Sequence, residues 1–112
     1  MNLAPTEVNP SQSMFDETLG RAPGRGRLEG RRIVVVGAGQ RTIPEENPPV
    51  GNGRAISTLF AREGAHVACI DVDAQAVQAT VDQIAQEGGH AFAEIGDARD
   101  AAAIAPLLAR CA

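Results

Sequence analysis

The chain lacks several residue types, and each absence excludes a class of function. It contains no Tyr, no Trp and no Lys, which excludes any mechanism that needs a phenol or an amine side chain from these 112 residues. Ten Arg against fourteen Asp and Glu give a formal net charge of −4, which argues against binding nucleic acid or an anionic membrane through bulk charge. No apolar run approaches the roughly 18 residues of a membrane span. We therefore predict neither a nucleic-acid nor a membrane partner.

Cysteine is scarce, and its placement indicates neither a disulfide framework nor a metal site. Cys69 falls in a predicted buried strand and Cys111 is the penultimate residue, so we interpret both as free thiols. The first residues, 1–7, lack the basic and apolar regions of a secretory signal peptide. Together these features predict a cytoplasmic protein.

Residues 1–31 differ in composition from the rest of the chain. They hold three Pro, four Gly and little apolar periodicity, so ordering them would cost backbone entropy with little burial in return. We predict a disordered amino-terminal tail over residues 1–31 and a folded unit over residues 32–112. The Arg cluster from Arg21 to Arg32 is interpreted as part of a solvated tail rather than as an anchor for acidic partners.

Beyond the tail, short apolar runs alternate with amphipathic stretches. Strands are predicted over Ile33–Val36, His66–Ile70 and His90–Ile95, and the first is a β-branched run typical of a strand buried on both faces. Helices are predicted between and after them, with Ile, Leu and Val at helical spacing as their core faces. The order β-α-β-α-β-α predicts an α/β fold with a parallel sheet.

Local signals also predict where these helices begin and end. Gly64 and Gly88 are predicted to end the first two helices, because glycine adopts the left-handed turn found there. Asp73 and Asp100 are predicted to cap the second and third helices. Pro106 conflicts with an uninterrupted third helix, so we expect that helix either to begin near residue 105 or to kink.

The most informative stretch joins the first strand to the first helix. Gly37 and Gly39 follow the strand, and Gly51, Asn52 and Gly53 open the helix. Glycines allow sharp turns and close approach of a ligand to the backbone, and a helix N-terminus presents unpaired N–H groups to a phosphate. This spacing predicts a phosphate-binding loop; tight packing of strand against helix is the alternative for Gly37 and Gly53.

An acid ends the second strand. Asp71 can accept both ribose hydroxyls of an adenosine and would repel a 2′-phosphate. The alternative is a solvated acid at the end of a strand. A glycine loop after a β-branched strand, followed by a helix and by this acid, indicates a nucleotide site more strongly than the glycines alone.

Residues 31–112 resemble the amino-terminal part of a short-chain dehydrogenase/reductase. The T-G-x-x-x-G-x-G motif of that family is matched by Gly37, Gly51 and Gly53, with Val36 where Thr is usual, and the common continuation R-A-I is matched by residues 54–56. The resemblance implies a Rossmann-like β-α-β-α-β-α half of a doubly wound parallel sheet, truncated relative to the family.

The resemblance also implies a cofactor and the residues that bind it. Asp71 falls where NAD-preferring members carry an acid, and Asp97 resembles the Asp that contacts the adenine ring. For Asp97, as for Asp100, a turn or cap role is the alternative. The implied cofactor is NAD, preferred over NADP. The implied cofactor-binding residues are Gly37, Gly39, Gly51, Asn52, Gly53, Asp71 and Asp97.

The chain departs from the family pattern in its glycine loop and in its length. Eleven residues, Gln40–Val50, stand where the family has one; they are interpreted either as a lid over the pyrophosphate or as a flap in solvent. The family's catalytic Ser and its Tyr-x-x-x-Lys pair lie beyond the matched region, and no Tyr or Lys is present here. We therefore predict no catalytic residue and no turnover by this chain alone. No metal or catalytic role is predicted for His66 or His90.

Three functional hypotheses remain open from the sequence. The chain is the NAD(P)-binding portion of an oxidoreductase that transfers hydride between a nicotinamide cofactor and an alcohol or carbonyl, or a non-catalytic nucleotide-binding module, or a non-functional gene fragment. The resemblance implies the strand order 3-2-1, which would leave Ile33–Val36 as an exposed apolar edge. Such an edge predicts self-association or a companion chain.

Overall fold

The computed structural model describes Phe15, residues 22–41 and residues 50–112. Three strands alternate with three helices in the predicted order. The elements are β1 (Arg32–Val36), α1 (Asn52–Arg62), β2 (His66–Asp71), α2 (Ala74–Gln86), β3 (His90–Ile95) and α3 (Ala101–Cys111). The sheet is parallel with the order β1-β2-β3, which confirms both the α/β fold and the strand order expected from the resemblance.

Helices cover both faces of the sheet. On one face, Val67 and Cys69 of β2 are fully buried in a core shared with α1 and α2. On the other face, Ala68 and Ile70 pack against Leu107 of α3. Because successive side chains of a strand point to opposite faces, β2 is buried on both sides and forms the centre of the fold.

The predicted helix ends are confirmed. Gly64 and Gly88 have φ values of +96° and +83°, which is the left-handed conformation that glycine adopts most easily. The side chain of Asp73 accepts from the backbone N–H of Ala76, and that of Asp100 from Ala102. The third helix begins directly after Asp100 and contains Pro106, so the expectation of a start near residue 105 was wrong.

The predicted core faces of the helices need correction. Ile56 and Leu59 of α1 are 43% and 47% exposed, and Leu108 of α3 is 44% exposed. The buried side chains of α1 are the small Ser57, Thr58 and Ala61, and Phe60 is partly buried against the core. The larger Ile56, Leu59 and Leu108 are therefore exposed on the outer surfaces of α1 and α3.

Part of the segment assigned to the tail contacts the folded unit. Arg25 donates its backbone N–H to Glu63 Oε1 at 2.7 Å, and Leu28 donates to the Glu63 carbonyl at 2.8 Å. Leu28 also packs against the core. The domain division at residue 31 stays a prediction, and the predictions for residues 1–14, 16–21 and 42–49 lie outside the described residues.

Candidate nucleotide-binding site

The glycine loop runs from the end of β1 to the start of α1 at the carboxyl edge of the sheet. Gly37 has φ +77° and donates its N–H to the carbonyl of Ile70 at 2.8 Å. A Cβ on Gly53 would lie 1.7 Å from the carbonyl oxygen of Gly37, closer than any atoms can approach. Gly37 is therefore required by its backbone conformation and Gly53 by the close packing of α1 against the turn, which is the packing alternative named for these two glycines.

The remaining glycines of the loop have different neighbours. A Cβ on Gly39 would lie 2.7 Å from the Cβ of Ala76, so the loop passes directly over α2. Gly51 has room for a side chain, since a Cβ at this position would meet the Gln40 side chain at 3.6 Å. Gly51 is the N-cap residue of α1, and no side chain caps that helix. Within the described residues, no oxygen accepts from the N–H groups of Asn52 and Gly53, so both donors are available to an anion.

Asp71 ties the second strand to the glycine loop. Its Oδ2 accepts the Gly39 N–H at 2.9 Å, and its Oδ1 accepts the Asp73 N–H at 3.2 Å. Each carboxylate oxygen has a further lone pair, so Asp71 can still accept from two hydroxyl groups. The side chain is only partly buried, as a ligand contact requires.

Two cavities meet at Asp71. One, of about 360 Å³, is lined by Gly39, Gln40, Arg41, Asp71, Val72, Asp73 and Ala76. The other, of about 350 Å³, lies across the ends of all three strands and is lined by Val36, Gly37, Asp71, Val72, Gly96, Asp97, Ala98 and Arg99. Both cavities lie at the carboxyl ends of the parallel strands, which is the edge at which open α/β sheets bind ligands.

Asp97 faces the second cavity but is engaged by a neighbour. Arg99 binds both of its carboxylate oxygens, with Nη2 2.8 Å from Oδ2 and Nε 2.9 Å from Oδ1. These hydrogen bonds, together with the Arg99 backbone N–H, lower the pKa of Asp97 to about 2. Asp97 is therefore ionised throughout the physiological range, and the pair is a polar rim to the cavity.

Sequence reasoning missed three residues that position or line this site. Thr80 of α2 is buried and donates its hydroxyl to the Ala38 carbonyl at 2.8 Å, and Arg54 Nε donates to Thr80 Oγ1 at 3.0 Å. Gln40 Oε1 accepts the Gly51 N–H at 3.1 Å, so it joins the two ends of the insertion. A threonine on an otherwise apolar helix face was the one signal available. The Thr80 hydroxyl stabilises the glycine turn by its hydrogen bond to Ala38, at a turn where Val36 replaces the family's usual Thr.

Comparisons with known proteins show similarity to dehydrogenases in both sequence and fold. It is 34% identical over 83 residues to the 2,3-dihydro-2,3-dihydroxybenzoate dehydrogenase of Bacillus subtilis, a match that covers 74% of this chain and 28% of the relative. The solved citronellol catabolism dehydrogenase of Pseudomonas aeruginosa superimposes with a TM-score of 0.66 at 28% identity, over 80% of this chain and 32% of that one.

A third similar protein carries the family name itself. A short-chain type dehydrogenase/reductase from Mycobacterium marinum superimposes with a TM-score of 0.65 at 26% identity, over 77% of this chain and 31% of that one. No protein-family model matches the chain. The chain spans about a third or less of the length of these three relatives. The relatives confirm the resemblance to short-chain dehydrogenases/reductases.

Proposed function

From its kinship in sequence and fold with the short-chain dehydrogenases/reductases, of which it matches only a part, we propose that this chain supplies the NAD(P)-binding portion of an oxidoreductase. The single observation that carries the proposal is the joint placement of the glycine turn and Asp71. The turn leaves donors free at the start of α1, and Asp71 stands between two cavities at the same edge of the sheet.

The residues present fit a dinucleotide. The N–H groups of Asn52 and Gly53 are available to its pyrophosphate, and the backbone around Gly37 carries no side chain that would block it. Asp71 would accept from the adenosine ribose, and Asp97 would stand beside the adenine ring. When bound, the nicotinamide supplies the hydride chemistry; the residues of this chain bind and orient the cofactor.

The proposed preference is NAD over NADP. A 2′-phosphate placed against Asp71 would meet a carboxylate that already accepts two backbone N–H groups, and the like charges would repel. Arg41 lines the same cavity as Asp71 and would act in the opposite direction. The acid is held in place by two hydrogen bonds, whereas Arg41 is exposed, so we give Asp71 the larger effect.

The chain has no counterpart to the family's Tyr and Lys, so the proposed role of these 112 residues is cofactor binding alone. Turnover would require groups that they do not contain. Detection of alcohol-dependent NADH formation by the purified chain would contradict this division of roles. The second candidate, a nucleotide-binding module without catalysis, is favoured by the same site and shares its binding predictions.

Titration calorimetry with NAD and NADP tests the proposal. Wild-type chain should bind NAD more tightly than NADP. Asp71→Ala should weaken NAD binding about tenfold or more, because a hydrogen bond to a charged group contributes about 1.5–3 kcal/mol, and should reduce the discrimination between the two cofactors. Asp71→Asn keeps one acceptor oxygen, so its affinity for NAD should lie between those of the wild type and Asp71→Ala.

Asp82→Ala is the matched control, since Asp82 is an exposed acid on α2 whose hydrogen-bond partner is Gln78. It should leave both affinities unchanged. Circular dichroism establishes that each variant is folded. If folded Asp71→Ala binds NAD and NADP with the same affinities as the wild type, the ribose-binding role is excluded. If the folded wild type binds neither cofactor, the hypothesis of a non-functional gene fragment is left.

The proposed protein partner is reached through the edge strand. Val34 and Val36 of β1 are 38% and 54% exposed, and Ile56 and Leu59 of α1 are also exposed. An apolar edge strand with unpaired backbone groups favours pairing with another chain. We therefore propose that the chain associates through β1 with a second copy of itself or with a companion chain. We also propose that the protein is cytoplasmic. Among the described residues, no helix is long and apolar enough to span a membrane.

A further inference from the structure

A separate cavity lies at the amino edge of the sheet, opposite the candidate nucleotide site. The parallel register places Arg32 of β1, His66 of β2 and His90 of β3 side by side. These three residues line a cavity of about 400 Å³, together with Arg110 and Cys111 of α3. The cavity is therefore built from all three strands and from α2 and α3, since Ala85 of α2 also lines it. None of its residues belongs to the glycine loop or to the cavities around Asp71.

The charged side chains that line this cavity are all basic. Two Arg and two His line it, and no Asp or Glu side chain does, although the chain as a whole carries a formal net charge of −4. Arg32 has no ion pair among the described residues. A concave surface lined by one sign of charge concentrates ligands of the opposite sign.

The two histidines are in direct contact. Their ring centroids are 4.8 Å apart with an interplanar angle of 25°, and they are the only histidines of the chain. Stacked imidazoles tolerate one another when neutral, but protonating both brings two positive charges together. An anion beside the pair offsets this repulsion, so anion binding and histidine protonation favour one another.

Other titratable groups face the cavity and set its balance of charge. Glu94 of β3 pairs with Arg110, with 3.1 Å between Oε2 and Nε, and so neutralises much of that guanidinium. Burial raises the pKa of the Cys111 thiol, which therefore stays neutral. Ala112 lines the cavity and carries the α-carboxylate of the 112-residue chain. Arg32 and the histidine pair are left as the groups that would hold an anion.

We propose that this cavity binds a phosphate-type oxyanion through Arg32, His66 and His90, and binds it more tightly as the two histidines become protonated. Arginine supplies paired donors suited to tetrahedral oxyanions, and each protonated imidazole adds a charged donor. The cavity is larger than a single phosphate ion, so it has room for an ester as well. The recognised group is therefore either free phosphate or the phosphate of a small ester.

Histidine NMR on the full 112-residue chain tests the proposal directly. The ring Cε1–H signals of His66 and His90 are followed during titration with sodium sulfate at constant ionic strength. Sulfate is used first because it stays a dianion over the whole range, so that any pH dependence belongs to the protein. We expect saturable shifts of both signals, with an affinity about tenfold higher near pH 6 than near pH 8.

Matched arginine variants identify the cation. Arg32→Gln should weaken sulfate binding at least about fivefold through loss of a charge-assisted contact. Arg31→Gln is the control, since Arg31 is the adjacent exposed arginine and does not line the cavity, and it should leave the affinity unchanged. Equal effects of the two substitutions would overturn the proposal, because they would indicate attraction by bulk charge.

Two further measurements address the competing sites and the identity of the ligand. Saturating NAD should not displace sulfate from the histidines, and a chain extended beyond Ala112, which moves the α-carboxylate away, should bind sulfate at least as tightly. Inorganic phosphate and glycerol 3-phosphate are then compared; tighter binding of the ester supports an ester as the ligand, and equal binding supports free phosphate. Linear shifts without saturation near pH 6 would overturn the proposal.

Discussion

At the residue scale, the fold depends on a few contacts that leave no room for substitution. The carbonyl of Gly37 occupies the space that a Cβ on Gly53 would need, so β1 and α1 approach each other more closely than any other residue would allow. Thr80 fastens the same turn from α2 by its bond to the Ala38 carbonyl. These two contacts between specific atoms fix the geometry of the glycine turn.

Gly53→Ala should destabilise the chain by about 1–3 kcal/mol or more, as for other substitutions that overfill a packed site. The added methyl group must displace α1 from β1, and cofactor affinity should fall with it. Gly51→Ala is the control, because its Cβ would meet its nearest neighbour at an ordinary 3.6 Å, and only the weaker N-cap preference of Ala should lower stability, by about 1 kcal/mol or less. Urea unfolding measures both; equal stability of the two variants would contradict the packing argument.

The Asp97–Arg99 pair predicts a pH dependence. Asp97 has its pKa lowered to about 2, so its contribution to stability is present above the ordinary pKa of an aspartate and is lost as pH falls through about 2. Arg99→Gln should raise the pKa of Asp97 toward its usual value of 3.8. Carboxyl NMR titration checks the shift. Since the Arg99 side chain is 87% exposed, global stability near neutral pH should barely change.

At the scale of elements, the end of α1 is joined to the segment that precedes β1. Glu63 is 3% exposed, and its carboxylate accepts from the Arg25 backbone and, at 3.1 Å, from Arg27 Nε. The hydrogen bond from the Arg25 backbone, followed by those from Arg27, lowers the pKa of Glu63 despite the opposing effect of burial. The charged form of Glu63 thus holds residues 25–28 against the turn.

Glu63→Gln should release this segment while leaving the sheet intact. The amide N–H groups of Arg25 and Leu28 should lose protection from hydrogen exchange, whereas those of β2 should keep it. In the wild type, the same loss should occur in acid, because the contribution of a carboxylate with a lowered pKa is lost as pH falls through that pKa. Glu87→Gln is the control, since Glu87 pairs with Arg62 on the surface; equal exchange in both variants would contradict the role of Glu63.

At the scale of the whole molecule, the sheet is covered unevenly. β2 is buried on both faces, whereas β1 stands at an edge with Val34 and Val36 exposed. Ile56 and Leu59 of α1 are exposed as well. The molecule therefore presents an exposed apolar edge strand and two proposed binding sites, with Asp71 at the carboxyl edge of the sheet and the histidine pair at the amino edge.

Val36→Lys should weaken association of the chain with itself or with a companion, because a charge on an edge strand opposes pairing. Sedimentation velocity should show a shift toward monomer relative to wild type. Val72→Lys is the control, since Val72 is equally apolar and 60% exposed but lies after β2 rather than on the edge. A wild-type chain that sediments as a monomer and unfolds cooperatively would exclude the edge as an association surface.

The amino-acid sequence determined the order of the elements and most of their ends, and it pointed to the candidate site. Periodicity, β-branched runs and the turn residues Gly64, Gly88, Asp73 and Asp100 act through local backbone preferences, so a reader of the sequence finds them without the fold. The glycine loop and Asp71 are recognisable for the same reason, because their spacing reflects a strand, a turn and a helix that follow one another directly.

The tertiary structure determined which side chains are buried and which distant residues become neighbours. It turned Ile56, Leu59 and Leu108 outward, because burial depends on which elements cover a face and not on helical spacing. It brought Thr80 to the glycine turn and Gln40 to Gly51, and it aligned His66 with His90 and Arg32 across three strands. Strand register sets these last neighbours, and residues separated by more than twenty positions become adjacent only when the sheet forms.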